Sequence, residues 1–309
     1  MRNSQPYPIG RSGEKWGDDE RAQWLQRAVV HRSYSDEVLS KLNSLQGRFA
    51  LFQYGALSYD ADRYPLFALK SKNWREGRPA VLVTGGVHGY ETSGVQGAIG
   101  FLKEAAEKYS ERFNIVVAPC ISPWGYETIN RWNPYAVDPN RSFRNNGSCE
   151  EAAALMKMLA GLNTDFLVHV DLHETTDTDE SEFRPAKAAR DGKAYVPGTI
   201  PDGFYLVGDS ENPAREFQRA IIVALQQITH IASSDSDGKL LGDTAAQPGV
   251  VNYPVKALGL CGGVTSCRYG TTTEAYPDSL GMTGRECNAA QIAAVVAALD
   301  YISEQGYTQ

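Results

Sequence analysis

Among the five histidines of this 309-residue chain, His88 and Glu91 stand three apart in VLVTGGVHGYET, directly after an apolar run and a Gly-Gly break. If the turn there is helical, residues three apart share a face, so an imidazole and a carboxylate can grip one metal ion. Zn²⁺ accepts such nitrogen and oxygen ligands, and a catalytic site keeps one position for water. His173 closes DFLVHVDLH, another buried-strand pattern. Two strand ends of one sheet can converge, which makes His173 the expected third ligand. Asp171 is the expected partner of a ligating histidine, since such rings usually bond a carboxylate or carbonyl through their other nitrogen. His169 lies deeper in the run and reads as a packed, hydrogen-bonded core residue. His31 and His230 read as surface histidines.

Two further groups fit a metal-assisted reaction. Glu274, in TTTEAYP, follows a β-prone run. A lone Glu there is usually structural or exposed; beside a metal it could take a proton from water. The stretch SPWGYETINRWNPYAVDPNRSFRNN carries Arg131, Arg141 and Arg144. It reads either as a solvated loop or as a clamp, because guanidinium binds carboxylates in a bidentate fork and can stabilise an oxyanion.

The elements that must position these groups alternate between strand and helix. Strand patterns are expected at 48–54, 64–69, 81–84, 113–118, 165–172 and 269–274, and helices at 22–30, 35–45, 93–109, 150–162, 212–229 and 285–304. Ser35 and Ser93 are the expected N-caps of their helices. Residues 119–146, 174–203 and 230–262 read as loops, the first long enough to be functional. Such alternation implies an α/β sheet covered on both faces. Gly94, Gly97 and Gly100 weaken the first turns of the third helix, at about 1 kcal/mol each against Ala.

Composition is that of a globular chain, 42% hydrophobic and 22% charged. The net charge of −7 gives a nucleic-acid partner no electrostatic support. No apolar run has the length of a membrane span, and the N-terminus lacks an apolar signal-peptide core, so a cytoplasmic location is expected. The five cysteines form no C-x-x-C pair. Cys261 and Cys267 could bridge a loop, but free thiols in a reducing compartment are the expectation.

In its landmarks the chain resembles the zinc metallocarboxypeptidase family, the carboxypeptidase A-like clan. These are H-x-x-E at His88 and Glu91, a later His173, Ser122-Pro123-Trp124-Gly125-Tyr126, then Arg131, the block Asp138-Pro139-Asn140-Arg141-Ser142-Phe143, and Glu274 in a T-x-E context. The resemblance covers residues 64–305. The resemblance implies a mixed, mostly parallel eight-stranded sheet with helices on both faces and one zinc ion held by His88, Glu91 and His173. It implies Glu274 as general base, Arg131 as the group polarising the scissile carbonyl, and Asn140 and Arg141 as ligands of the substrate's terminal carboxylate. Tyr253 takes the place of a mobile family tyrosine by spacing alone; a loop-packing role suits it equally.

Residues 1–60 are then a lead-in packed on the core, and 61–309 the catalytic domain, as one compact unit. Ser122 stands where the family has Asn, Pro139 where it has Leu and Ser142 where Asn is frequent. H-G-x-E, D-x-N-R and D-L-H are also elements of relatives of the aspartoacylase and succinylglutamate desuccinylase type. The expected activity is therefore removal of a C-terminal residue from a peptide. Deacylation of a small N-acyl amino acid is the second reading, and a metal-free binding protein the third. Those deacylase relatives usually carry a further β-rich domain, which is not expected here because 35 residues follow Glu274.

Overall fold

A computed structural model describes residues 7–307; residues 1–6, within the expected lead-in, lie outside the described residues. The first segment runs through α1 (Asp18–Leu25) and a π turn, Ser35–Leu39, that leads into α2 (Ser40–Ser44). There follow β1 (Phe49–Ala56), β2 (Pro65–Ser71), β3 (Ala80–Gly85), α3 (Thr92–Glu104), α4 (Ala106–Ser110), β4 (Asn114–Ala118), α5 (Pro123–Thr128), α6 (Glu150–Leu162) and β5 (Phe166–Glu174). The last part holds α7 (Arg184–Arg190), β6 (Tyr205–Asp209), α8 (Arg215–Leu225), the hairpin β7 (Lys239–Leu240) and β8 (Asp243–Thr244), β9 (Val250–Tyr253), β10 (Tyr269–Ala275) and α9 (Gly284–Glu304).

Eight strands form one sheet in the order β1-β2-β4-β3-β5-β10-β6-β9. Its centre, β4-β3-β5-β10, is parallel, with antiparallel pairs at β1-β2, β2-β4 and β10-β6. Strands buried on both faces read as continuous apolar runs, and β3 (AVLVTG) and β4 (NIVVA) are buried at every position. Alternation divides their side chains between two cores. Val81, Val83, Ile115 and Val117 pack with α3, α8 and α9, whereas Leu82, Val116 and Ala118 pack with α6. Both faces are thus covered, as expected.

The glycines of α3 have a packing reason. A Cβ on Gly97 would lie 2.4 Å from Gln291 Cβ, so α3 and α9 approach more closely than any side chain at that position permits. The helix begins at Thr92, and Ser93 is not its cap; its backbone N–H instead donates to Glu174 Oε1 at 2.8 Å. A carboxylate from β5 thereby serves the positive end of the helix. Ser35 likewise does not cap; Ser33 Oγ accepts from the Asp36 N–H at 3.0 Å.

Other expectations are corrected. The segment 174–203 contains α7, which Pro185 opens and whose Ala186 and Ala189 are buried. Its seven residues are too few to show a helical period. Strands β6 and β9 were not anticipated; at five and four residues each, they take their place from the strands beside them. The loop 119–146 holds α5 and a single turn at Pro139–Arg141. The lead-in contributes Tyr7, Trp16, Trp24, Tyr34, Val38 and Leu42 to the main core, and β1 is the edge strand of the sheet. Among the described residues, no helix is long and apolar enough to cross a membrane.

Candidate active site

Parallel strands of an open α/β sheet gather their functional groups at the carboxyl ends. His88 follows the end of β3, His173 lies near the end of β5, and Glu274 is in register with His173 on β10. His88 Nδ1 lies 2.6 Å from Glu91 Oε1 and His173 Nδ1 2.7 Å from Glu91 Oε2. All three side chains are buried, and the two rings meet edge to face with centroids 5.1 Å apart.

Glu91 Oε2 has no hydrogen bond of acceptable geometry despite that short contact with His173. Two Nδ1 atoms and a carboxylate therefore converge as donors to a common point, and this set fits a zinc ion. Burial pushes the Glu91 carboxyl up, but His173 and His88 outweigh it and hold it at about 2.

The far nitrogens are anchored. His88 Nε2 lies 3.0 Å from Asp138 Oδ1, and His173 Nε2 2.9 Å from Asp171 Oδ2. Each carboxylate favours a proton on Nε2, leaving the Nδ1 lone pair for a metal. Thr84 Oγ1 donates to Asp171 Oδ1 at 2.6 Å and lies 2.9 Å from His169 Nε2. His169 is buried in this network, and its burial pushes it down to about 4. His169, Asp171 and Cys261 also stand close enough for a metal, but the Thr84 hydroxyl already sits among them, 3.6 Å from Cys261 Sγ.

Above the ligands is a cavity of about 310 Å³ lined by His88, Glu91, Arg131, Asn140, Arg141, Tyr253 and Glu274 among others. Glu274 Oε2 accepts from Thr175 Oγ1 at 3.0 Å, and Thr175 Oγ1 is 2.5 Å from Tyr205 Oη. One hydroxyl proton cannot serve both contacts, so Tyr205 donates to Thr175. Withdrawal from bulk water pushes the Glu274 carboxyl up to about 8.

Arg131 is held by Asp179 Oδ1 at 3.1 Å, by Asp138 Oδ2 at 3.3 Å and by Tyr90 Oη at 3.3 Å. The Asn140 side-chain oxygen accepts from the Cys261 N–H at 2.7 Å, which turns its amide group toward other partners. Arg141 donates to the Asn140 carbonyl at 2.6 Å and has no carboxylate partner among the described residues. Tyr253 lines the cavity, but its hydroxyl donates outward to Asp243 Oδ2 at 2.9 Å. Arg144 is exposed and does not line the cavity.

The turn that carries His88 and Glu91 is braced from the segment before β1. Arg32 donates to the Gly89 carbonyl at 3.0 Å, to Thr92 Oγ1 at 2.7 Å and to the Tyr126 carbonyl at 2.6 Å. Its guanidinium stacks on the Tyr126 ring at 3.5 Å. A Cβ on Gly89 would lie 2.0 Å from the Tyr126 backbone nitrogen, so the glycine between the two ligands is what lets this turn seat. The sequence reading missed Arg32, Tyr90, Thr175, Asp179 and Tyr205, whose contacts span distant segments. Asp138 stood in the Asp138–Phe143 block, two residues before Asn140, but its bond to His88 had no local signal.

Residues 58–178 match the sequence profile of a family described as zinc carboxypeptidase. No curated protein sequence matches the chain. Among solved structures, a Shewanella amazonensis SB2B protein with an inferred metallopeptidase assignment superposes with a TM-score of 0.65 at 21% identity, over 89% of this chain and 98% of that one. A Burkholderia cenocepacia metallo-carboxypeptidase gives 0.59 at 16%, over 86% of this chain and 69% of that one. Bovine thrombin-activatable fibrinolysis inhibitor, in complex with tick carboxypeptidase inhibitor, gives 0.54 at 11%, over 95% and 99%. At such identities these likenesses concern the fold. The matched stretch holds His88, Glu91 and His173, so the part of the chain that resembles the zinc carboxypeptidases is also the part whose three side chains converge at one point.

Proposed function

We propose that the chain is a carboxypeptidase, cleaving the last peptide bond of a peptide that carries a free C-terminal carboxylate. The observation that carries this reading is a carboxylate, Glu274, facing the His88–Glu91–His173 group across a cavity that also holds Arg131, Asn140 and Arg141. Zinc held by His88, Glu91 and His173 would lower the pKa of water toward ~7 and polarise a carbonyl. With a cation at His88, Glu91 and His173 favouring its ionised form, Glu274 takes the proton from the attacking water and returns it to the departing amine. Thr175 steadies the carboxylate through Oε2. Arg131, oriented by Asp138 and Asp179, shares the charge that develops on the scissile carbonyl oxygen. Arg141 and the Asn140 amide take the terminal carboxylate in the manner of a guanidinium clamp, and Tyr253 flanks it.

The same reading makes 61–309 the catalytic unit and 1–60 a lead-in that buttresses it through Arg32. The five free, buried cysteines suit a reducing, cytoplasmic location. The test is release of single amino acids from acyl peptides by the zinc-loaded chain, with C-terminally amidated peptides as control. Cleavage of the free-acid peptides alone is expected. Turnover of N-acetyl or N-succinyl amino acids with peptides untouched would overturn this reading in favour of a deacylase.

A further inference from the structure

The positive charges around the cavity are unequally compensated. Arg131 is balanced by Asp138 and Asp179, and Arg184 by Glu180. Among the described residues Arg141 has no carboxylate partner, and neither has Lys187, which lines the same cavity from α7. Among the described residues the Lys187 ammonium makes no hydrogen bond or ion pair. Partial burial and the charges of Arg141 and Arg131 hold Lys187 below the usual lysine value, which Asp138 and Asp191 offset only in part. Both residues are exposed where they line the cavity, so an anion that enters meets two positive charges. One terminal carboxylate answers Arg141 and leaves Lys187 unanswered. Lys187 lies on α7, in the segment between β5 and β6 and outside the stretch 58–178 that matches the family.

We propose that Lys187, beside Arg141, selects peptides whose C-terminal end carries a second carboxylate in addition to the terminal one. This rests on the carboxypeptidase reading. The second carboxylate belongs either to the side chain of the departing residue or to that of the residue before it; the chemistry recognised is the same, and substrates separate the two.

The experiment compares acyl peptides of one upstream sequence ending Ala-Leu, Glu-Leu or Ala-Glu, cleaved by the zinc-loaded chain. At least one acidic end is expected to give a kcat/KM about tenfold above that of Ala-Leu, and which one locates the second charge. In Lys187→Gln the acidic-to-neutral ratio falls at least fivefold, while Lys187→Arg keeps most of it, and added salt lowers the wild-type ratio. Equal cleavage of all three ends, or an unchanged ratio in Lys187→Gln, overturns the proposal.

If no peptide is cleaved, the carboxypeptidase reading fails, and binding then decides the charge reading by itself. In zinc-loaded Glu274→Gln, glutarate should bind about tenfold tighter than butyrate, and adding Lys187→Gln should abolish the difference. Equal binding of the two acids would refute the role of Lys187.

Discussion

Two carboxylates within one site are driven in opposite directions by their surroundings. Glu91, gripped by His173 and His88, is held at about 2, whereas Glu274, facing the cavity with a single hydroxyl donor, is pushed up to about 8. Glu274→Gln should lower kcat by about 10²–10⁴-fold, the range of general acid–base catalysis, with zinc content unchanged; full activity would remove Glu274 from the reaction. The same substitution has a signature in metal-free protein. Folded wild type keeps the Glu274 proton up to about 8, while an unfolded chain releases it near 4.5. The stability this supplies is fully present below 4.5 and lost as pH rises to about 8. Metal-free Glu274→Gln should therefore gain on wild type in melting temperature between pH 4 and pH 9. Behind the ligands, Asp171→Asn removes the charge that orients His173 through its 2.9 Å contact. Zinc affinity should fall about 10–100-fold by chelator competition; an unaltered affinity would leave Asp171 with a packing role only.

At the scale of elements, the site depends on how the turn after β3 is braced. Arg32 reaches Gly89, Thr92 and Tyr126 from a segment more than fifty residues upstream in sequence. It thus ties the start of α3, the metal turn and α5 together. Arg32→Ala leaves two backbone carbonyls without a charged donor and should cost about 2–3 kcal/mol of stability. It should also speed zinc release, because the turn that holds His88 and Glu91 loosens. Arg32→Lys should recover part of the stability and little of the slow release, since an ammonium cannot reproduce the planar fork stacked on Tyr126. A destabilised protein with unchanged zinc release would limit Arg32 to packing. From beneath, Gln291 on α9 donates to the His173 carbonyl at 2.7 Å, so the last helix also supports the ligand strand.

At the scale of the whole molecule, a metal at His88, Glu91 and His173 would be coupled to the fold. The ligands come from the turn after β3 and from β5, neighbours in the middle of the sheet. Zinc that binds only the folded chain stabilises it by about 2.7 kcal/mol at a hundredfold excess over Kd. Chelation should lower the melting temperature reversibly, with recovery on adding zinc; indifference to chelation would argue against a metal at His88, Glu91 and His173.

Much of this was legible along the chain. The runs at β3, β4 and β5 are continuous because those strands are buried on both faces, and the helices α6 and α9 carry patterns long enough to read. His88, Glu91 and His173 could be singled out because each closes or follows such a run, and Glu274 because it follows the β-prone TTT. Local sequence therefore determined the layered architecture and singled out the side chains that the fold gathers around one cavity. Hidden from it were the strands β6 and β9, the helix α7, the contacts of Asp138, Asp179 and Arg32, and the two unanswered cations, Arg141 and Lys187. Each of these depends on which side chains meet across the sheet, and a distance between residues far apart in sequence exists only once the chain has folded.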